Sequence, residues 1–310
     1  MENISSWIFT VTPSEGSYNI TDKVSPLKTD ATNIGTALGG ESLVVLTDSN
    51  VKRYIRKGAN QNSGSSQADV ILVDKDGNIS PDTPLIWDFD AITSAVVYPV
   101  DTEILTIKGG KFTTVANNAP SEYTYYARGI AGTNYCKNLV YDGCSFSRFD
   151  AHQGVRNATI RNRVLGHHGI KLIGMGTALI ENTTVLSDCF IALREDYGLT
   201  WNGDIIIRNC KFYPTGVTNN IIDAKNSEDH DFGYTCYLPR KVEVDGLFVH
   251  SIGFNFLFSM VNSKHLTDSY EAKYPVVPPE EMTVNNFTDL TTGNIFVSAN
   301  TAIFEVDLLD

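Results

Sequence analysis

The sequence predicts an all-β chain folded as a right-handed, single-stranded parallel β-helix, a solenoid with loop insertions. Three observations predict it. A six-residue pattern recurs through the middle of the chain, its apolar positions hold β-branched or aromatic residues, and each copy centres on Asn or Gly.

The pattern is a β-former, any residue, Asn or Gly, two residues, then an apolar residue. It runs Ile107-Lys108-Gly109-Gly110-Lys111-Phe112 and returns as Tyr141-Asp142-Gly143-Cys144-Ser145-Phe146. Ile160-Arg161-Asn162-Arg163-Val164-Leu165 and Ile180-Glu181-Asn182-Thr183-Thr184-Val185 follow. Ile207-Arg208-Asn209-Cys210-Lys211-Phe212 and Val244-Asp245-Gly246-Leu247-Phe248-Val249 complete it. The central residues are spaced by 34, 19, 20, 27 and 37 positions. The two short gaps give the bare unit, and the longer ones are the same unit with a loop inserted, as in repeat architectures.

β-Branched and aromatic residues in short runs favour strands over helices. Asn or Gly at a fixed place suits a tight bend with positive φ. Stacked units would align the Asn amides so that they hydrogen-bond along the stack. Asn162, Asn182 and Asn209 are therefore expected at equivalent bends, with Val164, Thr184 and Lys211 equivalent to one another. By the same logic Cys144 and Cys210 share one column.

The coil pattern covers roughly residues 100–265. Residues 42–112 add strand-rich stretches such as Leu43-Val44-Val45-Leu46, Asp69-Val70-Ile71-Leu72-Val73 and Pro84-Leu85-Ile86-Trp87-Asp88-Phe89, expected to be early coils with loops. The predicted organisation is an N-terminal arm or cap over 1–40, a β-helix over 41–265, and a C-terminal cap or oligomer contact over 266–310. Pro275, Pro278 and Pro279 interrupt the pattern there, before strand-like residues return at 294–297 and 302–306.

Composition narrows the function. Of 310 residues, 42% are hydrophobic and 19% charged, a globular balance. The net charge of −12 argues against nucleic acid as a partner. No apolar run reaches the roughly 18 residues of a membrane helix, so membrane insertion is not expected. The N-terminus lacks the basic start and apolar run of a secretory signal. Five cysteines without metal-type spacing read as buried, reduced thiols.

These repeats resemble the pectin-lyase-like β-helices, and within them the tailspikes and pre-neck appendages of bacteriophages. That resemblance implies a virion appendage, a homotrimer, and a bacterial surface glycan as partner. Gly166-His167-His168-Gly169 is also similar to the Gly-His-Gly segment of polygalacturonase-type hydrolases, and Ser187-Asp188-Cys189 to their Asp-Asp-Cys segment. Ser187 replaces the first acid and the two segments come in the opposite order, so polygalacturonase activity is not carried over.

Chemistry is expected on the strand after each bend. Aligning Phe149-Asp150-Ala151-His152, Ile170-Lys171-Leu172-Ile173, Ile191-Ala192-Leu193-Arg194 and Ile222-Asp223-Ala224-Lys225 puts apolar residues in the first and third columns. Strand alternation then projects Asp150, Lys171 and Asp223 outward in the second, and His152, Arg194 and Lys225 in the fourth. Two insertions flank this face. One carries Glu195, Asp196, Tyr197 and Trp201, and the other spans about 213–241. Carboxylates beside Tyr and Trp suit carbohydrate, because aromatic rings cover apolar sugar faces while acids bind hydroxyls. Glycoside hydrolysis needs two carboxyls. Glu195 is the candidate acid, and Asp196, Asp150 and Asp223 compete to be its partner. His152, Lys171, Arg194, Tyr197, Trp201, His167 and His168 are candidate substrate-binding residues.

Residues 148–171 carry a local balance of +4 in an acidic chain. A basic band there would attract an anionic glycan. Arg161 and Arg163 equally suit a surface charge pattern on stacked coils. No cofactor is required. Calcium is compatible with Asp188, Asp196 or Asp204. Two functions remain: a depolymerase of a surface polysaccharide or teichoic acid, acting as hydrolase or lyase, and a non-catalytic adhesin or fibre segment. The acid-and-base columns favour the enzyme, while the lack of a recognisable catalytic signature favours the binder.

Overall fold

A computed structural model describes residues 9–54, 65–112, 131–135, 138–146, 149–153, 157–165, 170–173, 176–187, 189–194, 203–214, 220–223, 239–250, 256–261, 279–289 and 302–307. The chain is all-β, with a single 3-10 turn at Thr21–Lys23 among the described residues. No helix among them is long and apolar enough to cross a membrane.

The strands in chain order are β1 (Phe9–Val11), β2 (Tyr18–Asn19), β3 (Ser42–Tyr54), β4 (Ser65–Val73), β5 (Ser94–Pro99), β6 (Leu105–Lys108) and β7 (Lys111–Phe112). Next come β8 (Ala131–Asn134), β9 (Asn138–Phe146), β10 (Phe149–Gln153), β11 (Asn157–Leu165), β12 (Ile170–Ile173), β13 (Thr177–Glu181) and β14 (Thr184–Ser187). The last are β15 (Cys189–Arg194), β16 (Asp204–Pro214), β17 (Asn220–Asp223), β18 (Lys241–Val249), β19 (Phe256–Val261), β20 (Glu281–Asp289) and β21 (Ala302–Asp307).

Two parallel ladders dominate. One runs β1-β8-β10-β12-β15-β17-β19-β21 and the other β20-β18-β16-β13-β11-β9-β6, with β14 and β7 paired beside that path. From β8 onward the chain alternates between them. Their shared core has two buried columns from the second ladder. Leu139, Ala158, Ala178, Ile205 and Val242 form one, and Tyr141, Ile160, Ile180, Ile207 and Val244 the other. Ile170, Phe190 and Ile191 enter from the first ladder, and Phe190 meets Phe212 edge-on at 5.8 Å. Each large apolar side chain so buried contributes about 1.5–3 kcal/mol.

The repeat is a bend in the rungs of the second ladder, inside β9, β16, β18 and β20, between β6 and β7, and between β13 and β14. Gly109, Gly143, Asn182, Asn209, Gly246 and Asn286 all adopt positive φ, between 48° and 76°. The next residue turns inward. Cys144, Thr183, Cys210 and Leu247 are buried at these places. The Cys144 thiol, the Thr183 hydroxyl and the Cys210 thiol each donate to a carbonyl of the preceding rung, on Ile107, Ile160 and Ile180 respectively. Cys144 and Cys210 thus occupy equivalent places. Burial pushes the Cys210 thiol up to about 12 and raises that of Cys144 as well.

The Asn stack differs in one member from the expected set. The Asn209 amide donates to the Asn182 side-chain oxygen at 2.7 Å. Asn162 lies in a shorter bend. Two residues separate Ile160 from Arg163, where three separate Ile180 from Thr184. Arg163, not Val164, is therefore level with Thr184 and Lys211, while Val164 pairs with Val185.

The expected early coils over 42–99 are instead an antiparallel sheet, ordered β2-β5-β3-β4. A run such as Leu43–Leu46 reads the same in either pairing, because both faces of this sheet are covered. Ile20, Val24, Leu27 and Ile34 from the expected arm pack on one face with Phe89 and Trp87. Buried Asp69 accepts the backbone N–H groups of Ile86 and Trp87, which holds that segment on the sheet. On the other face Tyr98 stacks on Tyr135 at 3.9 Å, joining this sheet to the residue after β8.

Near the C-terminus β20 extends the second ladder and β21 the first, in parallel register. Pro275, Pro278 and Pro279 precede β20, so they remove none of its ladder hydrogen bonds. Residues 294–297 lie outside the described residues.

Two outcomes are expected. Asn209→Val should destabilise by about 2 kcal/mol, Asn209→Ala by less and Asn209→Gly least, because left-handed backbone penalises a β-branched side chain most. Urea unfolding measures the order. Cys144 and Cys210 should stay unalkylated at pH 8 in native protein and react once it is unfolded, read by peptide mass spectrometry.

Candidate functional site

The first ladder carries the predicted site strands. Phe149 pairs with Ile170, Ile170 with Ile191, Ile191 with Ile222, Ile222 with Phe258 and Phe258 with Phe304. One residue further along, Lys171, Ala192, Asp223, Ser259 and Glu305 lie level on successive strands. Lys171 and Asp223 are thus two rungs apart, about 10 Å along the stack. Arg194 ends β15 level with Ile173.

His152 is displaced from its expected level. The register slips between Phe149 and His152, so Asp150 and Ala151 together face Lys171 and His152 pairs with Leu172. A bulge of this kind inserts one residue and moves everything after it by one place. Asp150 remains on the strand beside Lys171, and His152 leaves the level of Arg194. Glu195, Asp196, Tyr197, Trp201, His167, His168, Lys225 and the 226–237 loop lie outside the described residues, as do Asp188, Arg148 and Arg156.

The second ladder shows its outer side chains in detail. Lys108, Asp142, Arg161, Glu181, Arg208 and Asp245 follow one another rung by rung, alternating in charge. Arg161 donates to Glu181 at 2.5 Å and lies 4.0 Å from Asp142. The Glu181 carboxylate raises the Arg161 guanidinium further. Arg208 donates through two nitrogens to one Glu243 oxygen, at 2.9 and 2.7 Å. This overturns part of the basic-band expectation: the Arg161 charge is already matched by its own sheet. Each exposed pair contributes little alone. Together they disfavour a slipped register, which would set like charges opposite each other.

Where β16, β18 and β20 meet, the same face holds a groove of about 360 Å³ over Ile206. Asp204, Glu243, Asp245 and Glu281 border it with Lys241, Thr283 and Asn285. Its acids have partners. Arg240 reaches Asp204 at 3.3 and 3.4 Å, Lys241 donates to Glu281 at 2.8 Å, and Asn286 donates to Asp245 at 2.6 Å. Asp204, one of three acids compatible with calcium, is engaged by a guanidinium. The Lys241 hydrogen bond holds Glu281 below the usual carboxylate range. Asp74 and Asp88 are also held low, by hydrogen bonds from Asn78 and from the Thr29 backbone respectively. A general acid needs the opposite shift.

The charge and amide partners on the second ladder are 19 to 41 residues apart in sequence, which is why only the repeat register could have revealed them. A stacked pair was missed for the same reason. The rings of Tyr213 and His250 lie 4.4 Å apart and 14° from parallel.

No protein-family model matches the chain. No curated protein matches it. Among solved structures, a similar chain is the Gp54 tailspike of Acinetobacter baumannii bacteriophage AP22, determined in complex with A. baumannii capsular saccharide. The likeness has a TM-score of 0.35 and 11% identity, covering 90% of this chain and 60% of that one. This chain spans less than two thirds of the tailspike's length.

The groove yields one expectation. Lys241→Gln should return the Glu281 titration toward the ordinary carboxylate range, read by side-chain NMR. Because the folded value is depressed, the stabilisation from this pair is present above the ordinary range. It fades as pH falls through the folded value, and the variant should lack that part of the acid response.

Proposed function

We propose that this chain is a surface-glycan recognition protein of the phage tailspike and pre-neck appendage type, and that it cleaves the glycan it holds. In this reading the two alternating ladders are faces of a right-handed single-stranded β-helix. Its partner is a bacterial surface polysaccharide or teichoic acid, and it works as a homotrimer in a virion appendage or tail.

The observation that carries the reading is the level row Lys171–Ala192–Asp223, with Arg194 two residues beyond Ala192. Parallel strands about 4.8 Å apart set Lys171, Asp223 and Glu305 on every second rung, a geometry suited to a polymer rather than a compact ligand. Glu195 follows Arg194 directly and is proposed as the general acid, with Asp223, Asp150 or Asp196 as the second carboxyl. Lys171, Arg194, His152, His167 and His168 would bind sugar hydroxyls or acid groups, and Tyr197 and Trp201 would cover ring faces. The bulge in β10 favours the second reading, a non-catalytic adhesin, because it takes His152 out of line with Arg194.

The test uses wall and capsule fractions from host cells. Glu195→Gln should abolish release of oligosaccharides and keep binding, since the amide retains the shape and loses the proton. Trp201→Ala should weaken binding by about 1–3 kcal/mol. Full activity in Glu195→Gln would move the acid to another carboxyl. Binding without cleavage by the parent protein would establish the adhesin, and a monomer mass by light scattering at micromolar concentration would remove the trimer.

A further inference from the structure

Downstream of the bend, the second ladder has a different outer face from the charge-paired one upstream. Val185, Phe212 and Val249 are fully buried in register. Strand alternation therefore turns their neighbours outward. Thr184 and Leu186 on β14 lie level with Lys211 and Tyr213 on β16. Lys211 in turn lies level with Phe248 on β18, and Tyr213 stacks on His250 just beyond that strand. Phe248 is 36% exposed, one of few large apolar side chains so open among the described residues.

We propose that this face is a subsite for an acidic sugar unit, with Phe248 and the Tyr213–His250 stack as its platform and Lys211 as the cation that holds the acid group. The proposal rests on the glycan-binding reading above but uses a different ladder. Two observations carry it. The first is chemical: the open Phe248 ring and the Tyr213–His250 stack sit beside the Thr184 hydroxyl and the Lys211 ammonium on one sheet face. Aromatic rings cover the apolar face of a pyranose while the polar groups meet its substituents. The second is charge. The protein has a net charge of −12, and upstream on this ladder Arg161, Arg208, Arg240 and Lys241 are each paired with a carboxylate. Lys211 is exposed, pairs with no described carboxylate, and none of its level neighbours here is acidic. A cation left open beside an exposed ring complements a negatively charged sugar.

Calorimetric titration of the full chain with two hexasaccharides tests the proposal. Hyaluronan hexasaccharide alternates uronate with N-acetylglucosamine, and chitohexaose carries the same amide sugar without charge. Hyaluronan is expected to bind more tightly. Phe248→Ala should weaken it about tenfold. Lys211→Gln should weaken it about threefold, flatten its salt dependence and erase the preference over chitohexaose. Neither side chain lies in the buried core, so both variants should stay folded, read by their melting curves. No preference for hyaluronan in the parent, or parent-like binding by both variants, would overturn the subsite. Asp223→Asn and Lys171→Gln report the first ladder. Wall-glycan binding lost in those two but unchanged in Phe248→Ala and Lys211→Gln would sink this proposal alone. The reverse pattern would remove the first-ladder site and leave this one standing.

Discussion

The left-handed bend that recurs along the second ladder sets the rest of the architecture. At Asn182, Asn209, Gly246 and Asn286 the backbone takes a conformation that only Gly and Asn enter at low cost. The residue after it is delivered inward, and after Gly143, Asn182 and Asn209 its thiol or hydroxyl donates to a carbonyl of the rung before. Bend and ladder thus fix each other. A rung cannot slide without taking its bend out of the stack and its inward residue out of the core.

Everything displayed outside follows from that register. Residues far apart in the chain meet in columns spaced by one rung, so a column can be uniform inside and alternating outside. The upstream column alternates acid and base, and Arg161, Arg208, Arg240 and Lys241 on that face each pair with a carboxylate. The downstream columns instead leave Lys211 and Phe248 open. The same backbone thus carries a self-paired face and a face with unmatched chemistry. The antiparallel sheet before the ladders is built differently, with its own core around Phe89 and buried Asp69, and reaches the ladder region through the Tyr98–Tyr135 stack.

This regularity bears on the proposed function through geometry. A polymer has a repeat, and a parallel ladder offers a repeat to match it. On the first ladder Lys171, Arg194 and Asp223 sit on neighbouring strands, drawn from 53 residues of sequence. On the second, Tyr213 and Phe248 do the same across 36 residues. Loops inserted between rungs can vary in length without disturbing either row, which is why such scaffolds tolerate chemistry at their surface.

The sequence by itself determined the strand character, the bend positions, the inward Cys144 and Cys210, and the pairing of Ile170, Ile191 and Ile222. Those features are local: a β-former, a residue able to adopt positive φ, and an apolar residue at fixed offsets state their own geometry. Only the tertiary structure decided pairing direction over 42–99, since a doubly covered strand reads alike in parallel and antiparallel sheets. It also decided the bulge that moves His152, the shorter bend at Asn162, and the return of the ladders in β20 and β21. One residue more or less in a rung leaves the apolar pattern almost unchanged while shifting every later side chain by one place. The partners of Arg161 and Arg208 were hidden for a related reason. Charge pairing across rungs depends on register, and register is settled by the cooperative fit of all the strands together.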